Sequence, residues 1–166
     1  GTGNMSEHLN LTADHYHRLL VTLRHAPPGS LLFLEINSPD RRRQLPQQLV
    51  TDGMQRTFVI ADFATLPEGP PPVGVLRDFL EGLPFPRPEI LFVQGLDHRL
   101  GSDSKPGSEL EALKLGRELL GNLGVVVVFL LPSHTIHLIR NYAVNLWTWR
   151  AHHYFLDLPQ TVTKKS

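Results

Sequence analysis

The chain is 166 residues long, enough for one domain whose core buries roughly two-thirds of the surface its unfolded form would expose. Sixteen basic side chains balance sixteen acidic ones, which excludes the broad positive field behind non-specific attachment to nucleic acid or anionic lipid. There is no cysteine, so disulfide staples and thiolate metal sites are excluded as well, and a reducing, cytoplasmic setting fits.

The longest apolar run, 125–131, falls far short of the roughly 18 to 20 residues that span a bilayer, so no membrane role is expected. The opening Gly1-Thr2-Gly3-Asn4 before Met5 reads as a cloning scar, with residues 1–11 a flexible N-terminus and residues 159–166 a tail or linker. That leaves 12–158 as a single domain.

Thr12 is placed to cap a leading helix over 12–25, with Tyr16, Leu19, Leu20 and Leu23 at helical spacing and Pro27-Pro28-Gly29 as its stop. Residues 31–36 form a short, nearly continuous apolar run, the pattern of a strand buried on both faces. Ser38 as cap and Pro39 at the first position start a helix to about residue 51, which Pro46 is expected to kink. A second strand over 57–62 leads through a proline-rich loop to a helix over 73–83, with Val75, Leu76, Phe79 and Leu80 on one face.

A third buried strand covers 89–95. After a Gly/Ser-rich loop, Ser108 and Glu111 read as a capping box for a helix to about residue 120. The β-branched run 125–131 is expected to be a central strand, followed by Pro132, a Ser133 cap and a helix to about residue 145. Residues 154–158 close the sheet as a short fifth strand. The alternation predicts an α/β three-layer sandwich around a mostly parallel sheet.

The turn after the first strand is the informative place. A working phosphate loop needs glycines whose amides curl around the anion, a Lys, and a Ser/Thr for magnesium, in the spacing GxxxxGK[ST]. Here the stretch is Asn37-Ser38-Pro39-Asp40, without glycine, short of one amide at Pro39, and with the Asp40 carboxylate where an anion would sit. Hydrolysis of ATP or GTP is therefore not expected. Asp97, just past the third strand, stands where a Walker B acid would hold magnesium, although a lone acid there also serves as an ordinary loop residue.

Arg41, Arg42 and Arg43 sit at a helix N-terminus, where their charge opposes the macrodipole; they read as a solvated patch or as contacts to an acidic protein surface. The nine histidines, including His134 with His137 and His152 beside His153, provide no third ligand at a recognisable spacing, so no metal is expected. Ser102, His98 and Asp97 assemble a triad only on paper, since GxSxG is missing. Trp147 and Trp149, with Arg150, either seal a core edge or anchor a partner.

Taken together, the third strand ending in Gly95-Leu96-Asp97, the next ending in Leu130-Leu131-Pro132, and the closing Asn145-Leu146-Trp147-Thr148-Trp149-Arg150 followed by Tyr154-Phe155 resemble a known family. The family is the nucleotide-binding region of bacterial STAND-type (NLR-like) proteins, P-loop NTPase domains often linked to tetratricopeptide repeats. The resemblance spans roughly residues 12–158, and its closing Leu-Trp-x-Trp-Arg is its most specific part.

It implies a five-stranded sheet in the P-loop NTPase order 5-1-4-3-2, with the first turn and Asp97 at one edge. It also implies a switch or oligomerisation platform in signalling and defence against phage. With Asn37, Ser38, Pro39 and Asp40 in place of the phosphate loop, the chain resembles a degenerate version: no catalytic residue, no cofactor, and a regulatory or scaffolding role toward a protein partner, neighbouring domains or further copies of itself. Two alternatives stay open: a divergent nucleotide-binding domain using Asp97 and an arginine from 41–43, and a nucleic-acid sensing module, for which the neutral charge is poor support.

Overall fold

The structure is a computed structural model that describes residues 2–102 and 104–157, with the backbone alone for residues 2–10. Five parallel strands form one sheet: β1 (Leu31–Glu35), β2 (Phe58–Asp62), β3 (Ile90–Gln94), β4 (Val126–Leu131) and β5 (His152–Phe155). Their spatial order is β2-β3-β4-β1-β5, which is 5-1-4-3-2 read from the other edge, the order of P-loop NTPases.

Each short apolar run alternates sides as a strand must. In β1, Leu31 and Phe33 enter one core while Leu32 and Leu34 enter the other. β4 is central, and all six of its residues are buried, because both its edges are paired and both its faces are covered.

Helices α1 (Thr2–His25) and α2 (Pro39–Thr51) pack on the face carrying Leu32, Leu34, Phe92 and Val128. The opposite face, with Phe33, Leu91, Val127 and Phe129, takes α3 (Pro72–Glu81), α4 (Ser108–Lys114), α6 (Ser133–Tyr142) and α7 (Val144–Trp149). A short helix α5 (Arg117–Gly121) precedes β4.

Several local expectations are overturned, each by a tertiary contact. Thr12 is not a cap: it lies inside α1, whose backbone is already helical from Thr2. Its Oγ1 instead donates to Asp157 O at 3.2 Å. Pro46 does not interrupt α2 but sits buried within a continuous helix. Ser108 is the first residue of α4 rather than its cap, Gly107 holds that position, and the Glu111 carboxylate meets Lys114. The capping box therefore does not form.

The helix expected to reach residue 120 breaks at Leu115 and Gly116. There the backbone approaches α3 so closely that a Cβ on Gly116 would lie 2.6 Å from Val73 Cγ2. A second break at Ala143 separates α6 from α7, and Pro132, not Ser133, is the cap of α6. The fifth strand begins at His152 and ends at Phe155, two residues earlier than expected at its start and three at its end; Leu158 and the tail 159–166 lie outside the described residues.

β5 is an edge strand. On its outer side the Phe155 N–H donates to His15 Nδ1 of α1 at 2.8 Å, and Thr22 Oγ1 meets the Tyr154 hydroxyl at 2.7 Å. The helix thus occupies a position where a further strand would otherwise pair.

The core makes one energetic demand explicit. Phe129 is fully buried at the centre of β4 and stacks on Phe33, with ring centroids 5.4 Å apart. Phe129→Ala is expected to cost about 3 to 5 kcal/mol, read as a lowered urea midpoint with an unchanged slope.

Candidate functional site

In open α/β sheets a ligand crevice forms outside the carboxyl ends of the strands, where neighbouring connections leave toward opposite faces. Here that point lies between β1, which feeds α2 on one face, and β4, which feeds α6 on the other. The chain fills it with its own side chains.

Asn37 bridges the gap, its Oδ1 accepting from the Ser133 N–H at 2.8 Å and its Nδ2 donating to Ser133 Oγ at 2.9 Å. Ser133 Oγ donates to Glu35 Oε2 at 2.6 Å, and His153 Nε2 donates to Glu35 Oε1 at 2.8 Å. The hydrogen bond from His153, seconded by that from Ser133 and by the charges of His153 and Arg140, holds the Glu35 carboxyl below the usual carboxylate range against the effect of burial. The acid stands between the serine and the histidine, so no imidazole is placed to take the serine's proton, and the cluster is not a nucleophilic relay.

On the α2 side, Ser38 caps the helix by accepting from the Arg41 N–H, and Pro39 takes the first helical position. The guanidinium of Arg42 folds back into the turn and donates to Ile36 O at 2.6 Å and to Asn37 O at 3.1 Å. A phosphate cradle points amides inward. This turn points two carbonyl oxygens inward and satisfies them with its own cation.

The three arginines are not one solvated patch. Arg41 leans toward the buried Asp157, 3.9 Å away, Arg42 is half-buried in the turn, and only Arg43 is largely exposed, paired with Asp40. Asp40 is thus engaged with a side chain of its own helix.

Asp97 lies in a single 3-10 turn, Leu96–His98, at the carboxyl end of β3. It faces a cleft of about 180 Å³ bounded by Arg42 and Arg43 on the α2 side and by Asp62, Gln94 and His98 on the sheet side. Gly95 sets this wall. Its φ of 80° and the 2.7 Å that would separate a Cβ from Asp62 Oδ1 both demand glycine. Asp62 accepts from the Ala64 N–H at 2.9 Å and from Gln94 Nε2 at 3.2 Å.

Ser102 makes no part of a triad: its hydroxyl accepts from the Lys105 N–H and neighbours Ser104. His152 and His153 point to opposite faces, toward Tyr154 and Glu35 respectively. Among the described residues no group of three or more His, Asp or Glu is arranged to hold a metal ion.

Arg99 escaped the sequence reading. Its side chain is buried, lies over the Phe63 ring, and donates to Phe63 O, to Leu66 O at 2.7 Å and to Pro67 O at 3.0 Å, with Glu109 3.4 Å away. It locks the loop after β2 to the loop after β3 and so fixes the cleft walls.

The two tryptophans have different fates. Trp147 packs on Phe33 (5.2 Å between centroids) and His153 (5.0 Å), with the Arg150 guanidinium 4.2 Å from its ring. Trp149 stays 47 % exposed under the Arg117 guanidinium.

The fold and this filled crevice define an α/β three-layer domain with a parallel sheet in the P-loop NTPase order and without a phosphate loop. No protein-family model matches the chain, and no curated protein matches it significantly. No helix among the described residues is long and apolar enough to cross a membrane.

Two measurements check this assignment of roles. Trp147→Ala is expected to destabilise by about 3 kcal/mol, because it opens the core at Phe33. Trp149→Ala changes stability by less than about 0.5 kcal/mol, as befits an exposed side chain; paired urea titrations compare the two.

The second concerns pH. Burial, then the charge of Arg18, lowers the His15 pKa below its ordinary value despite the opposing charge of Asp14, and acceptance of the Phe155 N–H requires an unprotonated Nδ1. The unfolded chain therefore binds this proton more readily than the folded one. The contribution is complete above about pH 6.5 and is lost as pH falls through the lower folded value; below about pH 4.5 Glu35 adds a loss of the same sign. His15→Asn keeps an acceptor without the titration, so the fall in melting temperature between pH 7 and pH 5 is expected to shrink in that variant.

Proposed function

We propose that this chain is a non-catalytic, STAND-like regulatory or scaffolding module that works through protein–protein contacts, in the setting of bacterial signalling or defence. The observation that carries the reading is the occupied crevice: Arg42 bonded to the Ile36 and Asn37 carbonyls, and Asn37 bonded to Ser133, where a nucleotide's phosphates would need free amides. A domain of this order that has given up its anion cradle keeps its surfaces as its means of action.

Among those surfaces, Trp149 with Arg117 has the make-up of a partner contact: an exposed aromatic under a guanidinium. Contacts through Arg41 and Arg42 are the weaker choice, since the first leans toward the Asp157 carboxylate and the second is bonded to the Ile36 carbonyl.

A divergent nucleotide-binding reading retains one support, the Asp97 carboxylate at the cleft. A nucleic-acid reading has the neutral charge against it. The test is a thermal-shift series with Mg-ATP, Mg-ADP and Mg-GTP at millimolar concentration. No shift is expected, and a rise of several degrees would refute the non-nucleotide reading.

A further inference from the structure

The Asp97 side chain is only 8 % exposed, yet among the described residues its carboxylate accepts no hydrogen bond. The nearest charge is His98 Nε2 at 3.6 Å, on a side chain that is 78 % exposed. The Asp97 oxygens are not sealed from water, since the buried side-chain atoms without a partner among the described residues are Arg41 Nη1 and Thr135 Oγ1, so the carboxylate meets solvent rather than protein donors. Its neighbour Asp62 has both oxygens answered, by Ala64 and Gln94. The unanswered acid is therefore specific to Asp97, and it faces the cleft.

The opposite wall carries the opposite sign. Arg42 is committed to the Ile36 and Asn37 carbonyls. Arg43 is not: its only ionic partner among the described residues is Asp40, and the two side chains are 61 % and 74 % exposed. Exposed pairs of this kind contribute little and exchange readily, so this guanidinium is available to a better-placed anion.

A metal ion does not fit the same geometry. Two guanidinium groups line the cleft beside the acids, and among the described residues no group of three or more His, Asp or Glu is arranged to hold a metal ion.

We infer that the cleft between the first turn of α2 and the ends of β2 and β3 binds a small zwitterion of the amino-acid type, its ammonium group on Asp97 and its carboxylate on Arg43. The ammonium brings the donors that Asp97 lacks. The carboxylate gains a planar, forked partner in Arg43. Binding is selective for molecules that carry both charges, because either one alone meets a repelling wall across a narrow cavity. The site is separate from the Trp149 surface.

The experiment is isothermal titration calorimetry on the full chain with L-alanine, L-serine, β-alanine and γ-aminobutyrate. Ethylammonium, acetate and magnesium chloride serve as single-charge probes. At least one zwitterion is expected to bind at millimolar affinity or better, and each single-charge probe at least tenfold more weakly. Asp97→Asn and Arg43→Gln are each expected to weaken that zwitterion tenfold or more.

Failure of every zwitterion to bind, binding of magnesium in preference to them, or equal binding by Asp97→Asn would each overturn the proposal. None of these outcomes bears on the nucleotide series above, so the two readings stand or fall separately.

Discussion

The guanidinium of Arg42, held by the carbonyls of Ile36 and Asn37, sets the character of the whole carboxyl edge of the sheet. A turn that leads from a parallel strand into a helix can direct either its amides or its carbonyls toward the crevice. Which it does decides the sign of what can enter. Once the carbonyls face inward a cation must neutralise them, and Arg42 does so from one helical turn away. Asn37 is then free to reach across to Ser133, and Ser133 to Glu35, so the crevice becomes a junction between β1, β4, α6 and β5. What serves related topologies as a place for a ligand serves here as a joint.

The strands were legible because each is a short run of apolar, often β-branched residues, and a strand buried on both faces has no other way to look. The same holds for the sheet order, which followed from the family resemblance and from strands and helices taking turns. Helix ends were less legible. Thr12 has the chemistry of a cap but spends its hydroxyl on Asp157, 145 residues away, and no local pattern announces such a partner. Gly116 ends α4 because Val73 stands where its side chain would be, and Ala143 separates two helices with neither glycine nor proline to signal it.

The site was partly legible for similar reasons. The missing glycines of the first turn and the acid at Asp97 could be read directly, since absence of a motif is a local fact. Glu35, a lone acid closing an otherwise apolar strand, was a visible signal that went unused, and His153 was weighed only as a metal ligand. Arg99 had no signal at all, because carbonyl acceptors in a distant loop leave no trace in composition or spacing. Arg41 to Arg43 illustrate the opposite error: three adjacent residues of one type invite a single reading, while the helix turns them about 100° apart and sends each to a different neighbour.

β5 runs parallel to β1, and the chain passes from its end directly to Asp157, whose carbonyl is gripped by α1. Tension pulling outward from that end would lie along the ladder, so all its rungs would share the load at once instead of parting in succession. The grip of Thr12 would pass part of the force into a long helix.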